Sequence, residues 1–243
     1  MSIIKQIPNI ITLGNLLSGT IATIYAIEGD YINAGLFVII GIFLDFFDGF
    51  AARLLKVSGE LGKQLDSLAD MVTSGVVPGL IMLKLMQQNL KTEANSFVFE
   101  EPILDVMLIG LLLTLSACYR LAKFNIDTNQ SDSFIGLPTP AMSLFVISLP
   151  LIQQYSEVDF VKELINNNYF LIFITFTLSY LMNSKLPLFS LKFKDYSIKN
   201  NIIKYLFLVI AIVLIFTLKY LSIPLLIILY ILLSIIDYYR NKE

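Results

Sequence analysis

The chain has 243 residues, 56% hydrophobic and only 15% charged, with a mean hydropathy of +0.76. It is too apolar for a soluble domain of that length, and a membrane protein is expected. A formal net charge of −2 is silent about partners, and no basic tail or aromatic–basic interleaving points to nucleic acid. One cysteine, Cys118, excludes an intramolecular disulfide, and the absence of His argues against zinc and against a Ser-His-acid hydrolase.

In chain order, MSIIKQIP is too short to span and reads as interfacial. The apolar segment after Lys5 is longer than a signal-peptide core, carries Asn15 and lacks an A-x-A site, so a retained helix is expected. Spans are expected at 9–27, 32–52, 67–87, 103–123, 138–155, 169–184, 202–218 and 222–239, each near the ~20 residues a bilayer needs. The fold class is therefore all-α integral membrane, an eight-helix bundle forming a single polytopic domain over 1–243. Pro78 is expected to kink the third helix. With both termini inside, every Lys and Arg except Lys84, Lys91, Lys162 and Lys219 falls in an inner segment. That bias places the inner segments at the cytoplasmic face of the cell membrane.

The inner end of the second helix and the start of the third carry four carboxylates, Asp45, Asp48, Asp66 and Asp70, in DFFDGFAARLLKVSGELGKQLDSLAD. Asp45 follows the uncharged run 35–44, where an acid is expensive unless paired, metal-bound or wetted. Asp45 and Asp48 are i,i+3, with Gly49, Ala52 and Arg53 on the same stripe; Asp66 and Asp70 are i,i+4, with Gly62 one turn earlier. Two such faces opposed would converge oxygen donors suited to a hard divalent cation, Mg²⁺ above all. Gly49 and Gly62 remove side chains from that face. Arg53 offers a fork for phosphate or, more blandly, a cation snorkelling at a helix end.

This stretch resembles, without gap or substitution, the D-x2-D-G-x2-A-R-x8-G-x3-D-x3-D signature of the CDP-alcohol phosphatidyltransferases. These are integral membrane enzymes that move a phosphatidyl group from CDP-diacylglycerol to an alcohol. The resemblance implies one or two Mg²⁺ or Mn²⁺ ions on Asp45, Asp48, Asp66 and Asp70, with Asp70 as the catalytic base. It also implies a CDP-lipid lining of Thr12, Asn15, Gly49, Ala52, Arg53, Ser58 and Gly62, and a homodimer.

Thr12, Asn15 and Ser18 on the first helix read equally as helix–helix hydrogen-bonding residues. Within the family, YRLAKFN with FIGLPTPA and the later YLMNSKLPLFSLKF is similar to the branch whose acceptor is L-serine. Arg120, Lys123 and Asn125 are the expected acceptor contacts, Arg120 and Lys123 also reading as positive-inside anchors. Two alternatives stand beside this one. The acceptor could be another alcohol, such as glycerol 3-phosphate or an inositol phosphate. Alternatively, intramembrane acids could serve an ion-coupled transporter, where they are expected on distant helices or symmetric repeats.

Overall fold

The computed structural model describes residues 6–57, 59–93, 106–126, 134–189, 197 and 201–240. Ser58, the residues before Gln6 and the first residues of the expected fourth span lie outside these.

Two helices open the fold, α1 (Ile7–Glu28) and α2 (Tyr31–Leu55). They reverse through Gly29, whose φ of +82° is a left-handed cap suited to glycine. Asp30 Oδ1 then accepts from the Asn33 N–H at 3.1 Å and starts α2. The hairpin is fastened by the Ser18 hydroxyl donating to the Phe37 carbonyl at 2.7 Å and by stacked Tyr25 and Phe37 rings. Helix α2 ends at Lys56, itself left-handed at φ +52°.

Helix α3 (Glu60–Asp70) runs through a π turn (Met71–Val76) into α4 (Val77–Glu93). The third span was expected from residue 67, whereas the apolar stretch is Glu60–Leu90, 31 residues. At ~1.5 Å per residue this exceeds a ~30 Å hydrocarbon core, so one end of it projects into the interface. The charged end ELGKQLD, residues 60–66, is the part an apolar window discards. Just upstream of Pro78 the helix departs from α geometry in the π turn, where the Val77 N–H donates to the Val72 carbonyl five residues back.

Among the described residues the remaining α-helices are α5 (Leu112–Ile126), α6 (Thr139–Tyr155), α7 (Asp159–Asn166), α8 (Asn168–Asn183), α9 (Ile202–Leu218) and α10 (Ser222–Arg240). Helix α6 is the buried axis, with Met142, Val146, Ile147 and Ile152 in one core with Val38, Ile81, Leu85, Leu113 and Leu171. Helices α7 and α8 meet at 81°. A two-residue ribbon, β1 (Phe134–Ile135) against β2 (Pro187–Leu188), joins the segments that enter α6 and leave α8. Sequence patterning does not foresee it, because two residues carry no period.

Among the described residues, five stretches are long and apolar enough to cross a membrane, or six counting the bent α7–α8 pair. One is the 39-residue Ile202–Arg240, which doubles back near Lys219: the Phe207 and Tyr230 rings meet at 5.8 Å. The 17-residue α6 is too short to count alone. The molecule is an all-α membrane bundle.

Candidate metal and phosphate site

Small residues bring α1, α2 and the π turn together. A Cβ on Gly41 would sit 2.6 Å from Thr73 Cγ2 and 2.8 Å from Asn15 Oδ1, and one on Gly19 would sit 2.9 Å from Thr73 Cα. Neither leaves room for alanine, so the backbones approach as closely as glycine permits. Buried Thr73 donates to Asn15 Oδ1 at 2.7 Å. That bond turns the Asn15 amide nitrogen outward, where it donates to Asp70 Oδ1 at 3.1 Å. One turn earlier on α1, the Thr12 hydroxyl donates to Asp48 Oδ2 at 2.6 Å. Thr12 and Asn15 thus have the helix–helix role and orient two carboxylates with it.

Asp45, Asp48 and Asp66 each offer a carboxylate oxygen, all within 4.8 Å of one another. Asp48 is buried, the other two half-buried. Among the described residues no Lys or Arg lies within ion-pair distance of any of them. Three acids this close, without a cationic side chain, repel one another and are poorly solvated. A divalent cation taking oxygen ligands is the partner such a donor set fits.

The sequence expectation of four ligands on one point is corrected to three. Asp70 lies one turn along α3 from Asp66, ~6 Å of rise, and stands outside the group. Its Oδ1 is held by Asn15, and among the described residues its Oδ2 has no hydrogen bond.

Gly49 faces open space apart from Arg53, whose Nη1 lies 3.5 Å from the site of an added Cβ. This glycine is therefore not required by packing, in contrast to Gly19 and Gly41. Gly62 is flanked only by Asn9 Oδ1 at 3.3 Å. Ala52 is half-buried, and Arg53 is exposed on the last turn of α2.

The acceptor-side residues gather on the neighbouring α5. Asn125 docks that helix on α3: its Oδ1 accepts from Ser67 Oγ at 3.0 Å, and its backbone carbonyl accepts from Lys63 Nζ. Arg120 is half-buried, and its Nη1 donates to the carbonyls of Ile135 at 3.0 Å and Met182 at 2.9 Å. Gly136, at φ +73°, is needed there, since a Cβ would sit 2.5 Å from the Met182 carbonyl oxygen and 3.2 Å from Arg120 Nη1. Arg120, Lys123 and Lys185 line one cavity of about 210 Å³ with Phe124, Ile135 and Asn183. Sequence reasoning missed Thr73 and Asn183, which look like isolated polar residues of membrane helices.

Residues 5–182 match the family described as CDP-alcohol phosphatidyltransferase. The chain is 36% identical over 149 residues to the CDP-diacylglycerol–serine O-phosphatidyltransferase of Bacillus subtilis (strain 168), a match covering 60% of this chain and 75% of that protein. It is 33% identical to the protein of the same name from Helicobacter pylori (strain J99), covering 60% of this chain and 58% of that one. It is 28% identical to the archaetidylserine synthase of Methanothermobacter thermautotrophicus, covering 63% and 61%. The chain thus spans about six tenths of the length of the second and third of these relatives.

Proposed function

Because the chain belongs to the CDP-alcohol phosphatidyltransferase family, we propose that it transfers the phosphatidyl group of CDP-diacylglycerol to L-serine, releasing CMP. The observation carrying this reading is the convergence of Asp45, Asp48 and Asp66, with Asp70 held apart on Asn15. Asp45, Asp48 and Asp66 are the residues to hold Mg²⁺ or Mn²⁺ beside the diphosphate. A bound divalent cation supplies positive charge against the charge growing on phosphorus and on the departing CMP.

Asp70 takes the proton of the serine hydroxyl at its unpaired Oδ2, and Asn15 keeps the carboxylate oriented. The serine oxygen–phosphorus bond forms as the phosphorus–oxygen bond to CMP breaks. Gly49, Ala52, Arg53 and Gly62 make up the CDP-lipid face, with Ser58 outside the described residues, and the buried Thr12 and Asn15 stand behind it, orienting Asp48 and Asp70; the space over Gly49 and the exposed Arg53 beside it support that role. Arg120 and Lys123 bind the serine carboxylate, and Asn125 sets their helix against α3. The Lys and Arg bias supports both termini and this site at the cytoplasmic face of the cell membrane, with eight spans; a homodimer is what membership of the family implies. The α9–α10 turn supports counting two spans in the last apolar stretch.

One observation favours a second acceptor. Three cations around one cavity suit a phosphorylated alcohol such as glycerol 3-phosphate. The names of the relatives favour serine. Purified protein given CDP-diacylglycerol with each acceptor in turn decides, with CMP and the lipid product identified by mass. Serine is expected to yield phosphatidylserine. Turnover with glycerol 3-phosphate and none with serine would overturn the acceptor assignment and leave the metal-centred transfer standing.

A further inference from the structure

A second polar cavity lies at the end of the bundle away from the carboxylates. Helix α6 starts beside Arg120, where Gly136 meets the guanidinium, and runs 17 residues to Tyr155. At ~1.5 Å per residue that is ~25 Å, close to the thickness of a hydrocarbon core. There the α6–α7 corner meets the α9–α10 turn around a cavity of about 220 Å³. Tyr155 and Tyr220 wall it, with ring centroids 5.5 Å apart, and Glu157 and Lys219 line it with them.

Helix α7 fixes the depth of this cavity. It turns 81° from α8, and buried Asn89 holds its end by donating to the Ile165 carbonyl at 2.8 Å. Val161 and Ile165 pack into the core. Phe160, 68% exposed, shares a face with Leu164, while Asp159, Lys162, Glu163 and Asn166 make the polar face. A short helix with these faces, set across the direction of a span, lies in the membrane interface. The cavity adjoins its N-terminal end and is therefore at headgroup depth.

Tyrosines at this depth are ordinary interfacial anchors. The two charges need another account. Glu157 and Lys219 are opposite in sign and line one cavity, yet they stand too far apart to pair; among the described residues the ion pair is Lys162 with Asp159. Lys219 also holds a backbone φ of +48°, which glycine adopts at lower cost. The buried Ser222 hydroxyl donates to its carbonyl and fixes that turn. A lysine thus occupies a position that the backbone alone would give to glycine. Backbone outliers of this kind collect at ligand-binding sites.

We propose that this cavity binds the headgroup of a zwitterionic phospholipid, Lys219 on the phosphate and Glu157 with the two tyrosine rings around the ammonium. An anionic headgroup without an amine would satisfy Lys219 and leave Glu157 facing negative charge. The site is separate from the aspartates and takes no part in phosphatidyl transfer.

The chain contains no Trp, so Tyr220→Trp, which keeps an aromatic wall, makes a single fluorescent reporter. The full chain is reconstituted in phosphatidylglycerol vesicles. Quenching by brominated phosphatidylethanolamine, phosphatidylglycerol and diacylglycerol then gives relative affinities, and both leaflets carry each lipid, so orientation does not enter. Phosphatidylethanolamine should bind about 5-fold more tightly than phosphatidylglycerol. Glu157→Gln in the reporter should abolish that preference. Lys219→Gly should lower phosphatidylethanolamine to the level of diacylglycerol, yet melt at or above the parent Tm in detergent, because the strain is relieved. Tyr169→Trp, at a position 86% exposed on the first turn of α8, reports lipid outside the cavity and should show no preference. In the wild type, native mass spectrometry after exposure to equimolar lipids should retain phosphatidylethanolamine over phosphatidylglycerol. Equal ratios at the two reporters, or equal retention by the wild type, would overturn the proposal. So would a Lys219→Gly protein that melts lower and keeps the preference, which marks a structural lysine. None of these readouts depends on the acceptor, so their failure leaves the proposed transfer untouched.

Discussion

Asp70 differs from Asp45, Asp48 and Asp66 in what holds it. Three carboxylates share a point fit for a cation, and the fourth is pinned by an amide that is itself pinned by Thr73. The proposed roles follow from that difference, and so do separable phenotypes. Asp48→Asn or Asp66→Asn should abolish CMP release with every acceptor while the protein still inserts and purifies normally. Asp70→Asn should lower turnover by ~10²–10⁴, the usual contribution of a general base, with little change in CDP-diacylglycerol affinity. A raised KM at unchanged turnover would make Asp70 a binding residue instead. Thr12→Val removes the 2.6 Å bond to Asp48. It should weaken metal affinity ~10-fold, measured as a rightward shift of the Mn²⁺ activation curve.

Among the helices, two classes of glycine make opposite predictions. Gly41→Ala forces a Cβ to 2.6 Å from Thr73 and 2.8 Å from Asn15, so it should destabilise by ~1–3 kcal/mol and lower the Tm in detergent. Gly49→Ala meets only Arg53 at an ordinary distance. It should melt like the wild type while raising the KM for CDP-diacylglycerol, and a wild-type KM would remove Gly49 from the lipid face. The sequence makes the helices and the aspartate faces legible because apolar period and i,i+3/i,i+4 spacing are local properties. The π turn is not legible, since a reading at 3.6 residues per turn has no place for a five-residue hydrogen bond. Nor is the start of α3, because Glu60, Lys63 and Asp66 lower the apolar average of a helix whose end reaches the interface. From sequence alone Thr12 and Asn15 read equally as packing and as ligand residues; their hydrogen bonds to Asp48 and Asp70 across α2 and α3 show them orienting those carboxylates.

The whole molecule is a bundle around α6, with the charged chemistry collected where α2 ends, α3 begins and α5 ends. That arrangement separates it from an ion-coupled transporter, whose acids are expected on distant helices or on symmetric repeats. The proposed orientation puts the α6–α7 connection on the outer side and the α2–α3 connection inside. In a Cys118→Ser background, Glu157→Cys should react with an impermeant maleimide in intact cells, and Lys56→Cys only after permeabilisation. The reverse pattern would invert the topology and place the aspartates outside. The central claim is that the three-carboxylate cluster binds a divalent cation on which phosphatidyl transfer depends. Its most direct test is CMP release from CDP-diacylglycerol and serine by purified protein stripped with chelator and then titrated with Mn²⁺, with Mn²⁺ binding followed calorimetrically in the wild type and in Asp66→Asn. Activity should vanish on stripping and return in step with Mn²⁺ bound by the wild type, and the variant should neither bind nor recover; full turnover in excess chelator, or equal binding by the variant, would contradict it.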